Sequence, residues 1–223
     1  MTLLKRGSRA PARTYGRLFA TKDQWIISEL EPHVRIRLKQ LFPRINRGLP
    51  PPYSFPRTAA QAADLDWFLS RYPLLMDEAD RVTLREARRA FDDMTAQAER
   101  LLGADYSPPA FVGVREGFSV RPHQAAAAEL LRLYGGLLVG DDVGEGKTYT
   151  AMAACLLPNA LPAIVVCDPH LQQQWADAFA EFTTLTTHMV KGTQPYALPP
   201  VDVKIFRWTQ LLGWTDRFEQ LGT

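Results

Sequence analysis

Two cysteines, Cys155 and Cys167, are too few for a disulfide framework in a chain of 223 residues. Both lie in apolar stretches, which suits buried thiols in a reducing compartment. No apolar run reaches the roughly 18 residues a membrane-spanning helix needs. The chain shows no internal repeat and no low-complexity tract, so a solenoid is excluded. Acids are scarce at the start. Residues 1–57 hold 3 Asp/Glu against 12 Lys/Arg, a net +9, whereas residues 58–223 hold 21 against 14, a net −7. A basic head on an acidic body suits an anionic partner, for which nucleic acid is the usual choice. A solvated tail and an Arg-rich transit peptide are the other readings of the same composition. With 46% hydrophobic residues the chain can build a proper core. These features place it in the cytoplasm or on the nucleoid, neither secreted nor in a membrane.

Hydrophobic spacing divides the chain into three parts. In the first, 1–57, a flexible basic arm over residues 1–22 leads to a strand at Trp25–Leu30. A short helix follows Glu31 and Pro32, with Val34, Leu38, Leu41 and Phe42 on one face. Residues 43–57 contain five prolines and read as a linker or extended crossing. The second part, 58–117, reads as a helical hairpin and loop. Its helices start at the capping boxes Thr58/Gln61 and Thr83/Glu86, and the second stops at Gly103. The third part, 118–223, alternates helices and strands. Helices are expected at Pro122–Tyr134, from Lys147, and at His170–Phe182. Strands are expected at Gly136–Val139, Ala163–Cys167, Thr187–Val190 and Val201–Phe206. That alternation is the pattern of a parallel sheet with helices on both faces.

Within the third part, Gly135–Ala154 reads GGLLVGDDVGEGKTYTAMAA. An apolar strand, a glycine turn and a helix beginning Lys-Thr make a P-loop. Its glycines let successive backbone N–H groups face an anion, and the helix N-terminus adds partial positive charge. The backbone of Asp142, Val143, Gly144, Glu145 and Gly146 is the expected cradle. The side chains of Asp142 and Glu145 are turn and surface groups. Lys147 is expected on the β/γ-phosphates and the Thr148 hydroxyl on magnesium. Asp141 stands where the usual G-x-x-x-x-G-K-[ST] pattern has its first glycine.

DDVGEGKT resembles the D-E-x-G-x-G-K-T loop of Swi/Snf-type ATPases in helicase superfamily two. Three further stretches resemble the same family in the same order, covering residues 118–223. SVRPHQ, Ser119–Gln124, is similar to its L-R-x-x-Q segment. The resemblance implies that Gln124 reads the adenine edge with support from Arg121, His123 standing where an aromatic often sits. AIVVCDPHLQQQW, Ala163–Trp175, resembles a buried strand followed by Pro-x-Leu. This implies that Pro169, His170 and Leu171 touch one strand of nucleic acid, while Trp175 packs its helix. VKIFRWTQLL, Val203–Leu212, resembles the segment I-x-x-x-x-Y-x-x-L, with Trp208 for the tyrosine.

The implied fold is α/β: an incomplete RecA-like parallel sheet, the first lobe of a P-loop NTPase, behind a small basic α+β unit and a helical hairpin. The implied cofactors are ATP and Mg2+, and the implied partners are duplex DNA and a second ATPase lobe in cis or in trans. The family's next element is a strand ending Asp-Glu-x-x, whose acids complete the magnesium site and orient water. No such element occurs among the 223 residues. Asp216 and Glu219 follow no apolar run. The chain therefore reads as the front third of a DNA translocase or helicase, with no catalytic acids and an exposed sheet edge. The alternatives are a stand-alone P-loop regulator or small kinase, and a non-catalytic DNA-binding remnant. Arg207 and Arg217 are the only arginines after Lys147, few for a kinase lid.

Overall fold

A computed structural model describes residues 13–43, 45–46 and 48–218. Residues 1–12 of the expected basic arm, and Glu219, lie outside the described residues. The chain forms two compact units, the first through Gln97 and the second from Ala98. Among the described residues no helix is long and apolar enough to cross a membrane.

The first unit opens with β1 (Arg17–Ala20) and β2 (Gln24–Ser28), paired antiparallel from Arg17 opposite Ser28 to Ala20 opposite Trp25. Period-two alternation sends Leu18, Trp25 and Ile27 inward to full burial. Residues 17–20 are thus a core strand, which corrects the reading of 1–22 as a flexible arm. Their outer edge is closed by Leu75, which accepts from the Leu18 N–H at 2.9 Å and donates to the Gly16 carbonyl at 2.8 Å. Helix α1 (Pro32–Leu41) places Pro32 in its first turn and buries Val34 and Leu38.

The proline-rich segment also joins the core. Tyr53–Pro56 is β3, antiparallel to β2, with Tyr53 and Phe55 buried. Its proline is tolerated because β3 is an edge strand, where a missing N–H breaks no ladder. Counting prolines hid the Tyr-x-Phe alternation.

Thr58 caps α2 (Ala59–Arg71) by accepting from the Gln61 N–H at 3.2 Å. Ala62, Leu65 and Phe68 of α2 pack into the same core as β1–β3 and α1. Helix α3 spans Glu78–Leu102 and begins before the expected box at Thr83. Asp77 is the effective cap, accepting from the Asp80 N–H at 2.9 Å. Thr83 lies inside the helix and donates back to the Ala79 carbonyl at 2.9 Å.

In the second unit, Ala98 and Leu101 pack on Leu130 of α4 (Pro122–Tyr134). Gly135 ends α4 in the left-handed region at φ 70°, its N–H bonded to the Leu131 carbonyl at 2.8 Å. Helix α5 (Lys147–Cys155), β4 (Ala163–Cys167), α6 (Gln172–Phe182), β5 (Thr187–Met189), β6 (Val203–Arg207) and α7 (Leu211–Trp214) follow. The sheet is parallel, ordered β4-β6-β5, with Ala163 opposite Val203 and Met189 opposite Ile205. Met152 of α5 and Phe179 of α6 cover Val203 and Ile205 on one face. Trp214 of α7 covers Phe206 and Val190 on the other. The fold is therefore mixed α/β, with helices on both faces of a small parallel sheet.

The expected strand at Gly136–Val139 does not form. These residues pair with no strand, and Leu138 stands 94% exposed. Residues 136–139 lie beside no strand that would supply a ladder, and the outer edge of β4 stays unpaired. Ile164 and Val166, which share one face of β4, are exposed.

Helix α7 tests this packing. A methyl group on Gly213 would overlap the Thr193 carbonyl oxygen. Helix propensity alone favours alanine over glycine by about 1 kcal/mol. Overpacking against backbone costs about 1–3 kcal/mol or more, so the clash decides the sign. Gly213→Ala is expected to lower the urea midpoint of unfolding. A raised midpoint would contradict the docking of α7 on the loop after β5.

Candidate nucleotide site

The loop before α4 is anchored to the end of α6. Arg115 donates its N–H to the Phe182 carbonyl at 2.9 Å and its Nε–H to the Thr183 carbonyl at 2.8 Å. The Thr184 N–H reaches the Gly113 carbonyl at 2.8 Å. These bonds carry Phe118 to 5.7 Å from the Phe182 ring, edge to face. Tyr149, in the first turn of α5, meets the same ring at 4.9 Å.

The glycine turn lies against this aromatic group. Gly144 and Gly146 have φ of 99° and 82°, a region that L side chains rarely adopt. Gly146 is also the N-cap of α5. Its lack of a side chain has a second use, because a Cβ there would come within 2.8 Å of Gln124 Nε2. Gln124 is buried, and its Oε1 accepts from the Arg121 N–H at 3.1 Å. The amide is thus pinned at one end and faces the turn with the other. Arg121 supports it through the backbone, while its own side chain is exposed. His123 Nε2 lies 3.3 Å from the Glu145 carbonyl and ties the start of α4 to the turn.

A cavity of about 270 Å³ opens here, bounded by Phe118, Arg121, Gln124, Gly144, Gly146 and Tyr149 among others. It joins aromatic faces, a fixed amide and a glycine turn. A larger cavity of about 410 Å³ in the first unit is lined by Phe42, Phe55 and Gln61 among others, with no charged group and no glycine among the described residues that line it.

On the phosphate side, Lys147 Nζ donates to the carbonyls of Asp141 and Asp142 at 2.7 and 2.8 Å. The ammonium is therefore folded onto its own turn, where an entering anion would meet it. The N–H groups of Lys147 and Thr148, the first two of α5, have no partner within the helix and point the same way, whereas that of Tyr149 bonds the Gly146 carbonyl at 2.8 Å. The side chains of Asp141, Asp142, Val143 and Glu145 are exposed and line no wall. Thr148 is half-buried at the second position of α5. Among the described residues no group of three or more His, Cys, Asp or Glu could hold a metal. Magnesium fits one hydroxyl only if phosphate oxygens and water supply its other ligands, which is its common habit. Burial pushes the Cys155 thiol, at the far end of α5, up to about 11.

Pro169 and His170 are exposed on a 3-10 turn after β4, whereas Leu171 packs into the sheet core. Trp175 stacks at a tilt on Phe179 within α6, a packing role. Sequence reasoning missed Phe118, Ser119, Tyr149 and Phe182 as lining residues. Tyr149 was within reach, being two places from Lys147. Phe182 is brought in only by the pairing of residues 113–115 with 182–184. No protein-family model matches the chain, and no curated protein matches it.

Proposed function

We propose that the chain is the ATP-binding portion of a Swi/Snf-like DNA translocase or helicase, its second unit being part of a RecA-like lobe. The observation that carries the reading is the contact between Gln124 and Gly146. It joins two stretches, SVRPHQ and DDVGEGKT, that resemble the family's adenine-reading and phosphate-holding segments. An amide offers a donor and an acceptor side by side, the pattern of the adenine edge. In this reading the base enters between Gln124 and the aromatic group, and the triphosphate runs along the glycine turn to the start of α5. Lys147 leaves the carbonyls of Asp141 and Asp142 for the β/γ-phosphates. Thr148 offers its hydroxyl to magnesium, which would screen the phosphate charge. A second lobe, in cis or in trans, closes on the nucleotide, and opening and closing moves the pair along duplex DNA.

Base choice tests this. Guanine presents the opposite donor and acceptor order. Losing two neutral hydrogen bonds of about 1 kcal/mol each gives a preference on the order of thirtyfold. Competition of ATP, GTP and CTP against a fluorescent ATP analogue should rank ATP first. Gln124→Glu keeps the length and removes the amide donors, so it should flatten the ranking while the thermal midpoint shows a folded chain. Equal affinities for all three in the parent chain would favour a P-loop regulator of another class.

A further inference from the structure

Parallel sheets hold ligands beyond the carboxyl ends of their strands, and β4, β5 and β6 all end on one side. β6 ends at Arg207, and Trp208 follows it 57% exposed. Trp25 and Trp214, which serve the cores, are only 0% and 1% exposed. Trp208 makes no ring contact among the described residues, and Leu212, four places on, is exposed as well. The backbone turn that carries the exposed indole is nevertheless held in place. Gln210, fully buried, accepts the Arg207 N–H at 2.8 Å and donates to the Val190 carbonyl at 2.9 Å. That pair of bonds fixes the turn that carries Trp208 to the end of β5.

The neighbours are set by register. Cys167 lies opposite Arg207, so Asp168 follows on the Trp208 side of the sheet. The Val190 N–H bonds the Ile205 carbonyl at 2.9 Å, so exposed Lys191 follows on the other side. The Arg207 guanidinium makes no ion pair among the described residues, and its Nε is buried without a hydrogen-bond partner. A guanidinium without a carboxylate partner is suited to an anion. Of the first two residues after each of β4, β5 and β6, Asp168 is acidic whereas Lys191 is basic, as is Arg207 at the end of β6.

We propose that Trp208 is a stacking platform for an unpaired base, with Arg207 and Lys191 taking the adjoining phosphates. The second unit then holds single-stranded nucleic acid across the carboxyl edge of its sheet. The choice of a nucleic acid over a protein partner rests on the helicase form of the proposed function, in which duplex DNA is opened and an unpaired strand passes this edge. The choice of single strand rests on the indole, since duplex bases are already stacked on one another and leave no free face. A turn already held in place loses little backbone entropy on binding, and stacking accepts any base.

The test uses the full 223-residue chain and a fluorescein-labelled dT oligomer of about 20 nucleotides, read by anisotropy. Trp208→Ala is expected to weaken binding about tenfold to hundredfold, and Trp208→Phe to restore most of it. On a blunt hairpin duplex the two variants should match the parent. Titration of a fluorescent ATP analogue in parallel should give one affinity for all three proteins. If the analogue binds and Trp208→Ala leaves dT affinity unchanged, the platform is overturned while the nucleotide site stands. An equal loss on the duplex also overturns it. If Trp208 governs dT binding but no analogue binds, the platform stands and the ATP reading falls. Self-association that Trp208→Ala abolishes, without dT binding by the parent, would make this edge a protein contact and overturn the proposal.

Discussion

Phosphate release from the 223-residue chain is expected to stay at background, with or without duplex DNA. The chain has groups that could grip a triphosphate, Lys147 and the start of α5, but gripping is not hydrolysis. Hydrolysis needs an acid or amide that orients water and cations that meet the charge of the transition state. The strands end in Cys167-Asp168-Pro169, Met189-Val190-Lys191 and Arg207-Trp208-Thr209, so none of them ends in an acidic pair. Loss of an arginine finger alone costs about 10³–10⁵ in rate in P-loop enzymes. Without the acids as well, turnover should vanish into the blank. The assay belongs on the monomeric fraction, because β4 leaves one edge unpaired, with Ile164 and Val166 exposed beside it. Clear DNA-stimulated release would show that an acid within this chain does orient water, and the site would have to be redrawn around it.

Replacing Lys147 by alanine is expected to lower affinity for a fluorescent ATP analogue by about tenfold to hundredfold. A charge-assisted contact is worth roughly 1.5–3 kcal/mol, and each 1.4 kcal/mol is tenfold. The loss is tempered by what Lys147 gives up on binding, its bonds to the carbonyls of Asp141 and Asp142. The fold should hold, since Lys147 is exposed and its two partners lie within its own turn. Thermal melts of parent and Lys147→Ala should therefore coincide within a few degrees. Equal affinity in the two proteins would remove the P-loop assignment.

The second unit was the more legible in sequence, and the reason is period. Helix α4, the start of α5, β4 and β6 carry unbroken apolar spacing, and the glycines between them stand where the chain turns. Their positions were read to within about two residues. Gly136–Val139 failed on the same evidence. An apolar run states that a segment wants burial, but it does not supply the neighbour. The first unit was misread where composition spoke louder than alternation. Basic residues around β1 concealed Leu18, and five prolines concealed Tyr53 and Phe55. The start of α3 went to Asp77 over Thr83 because an earlier cap with a free run of helix formers wins.

At the site, the glycine turn, Lys147 and Gln124 were legible as short motifs. Their contact across Gly146 was not. It depends on α4 and α5 packing side by side, which no local pattern states. Phe182 was invisible for a related reason. Its place under Phe118 and Tyr149 comes from a bridge between Val114 and Thr183, a tertiary pairing of two loop-end residues.

The most direct measurement of the central claim is amide hydrogen exchange of the intact chain with and without MgATP. The account predicts slowed exchange in Gly140–Thr150 and Phe118–Gln124, the two segments that meet at Gly146, and no change over β1, β2 and β3. Unchanged exchange in both segments at saturating nucleotide, or protection confined to the first unit, would contradict it.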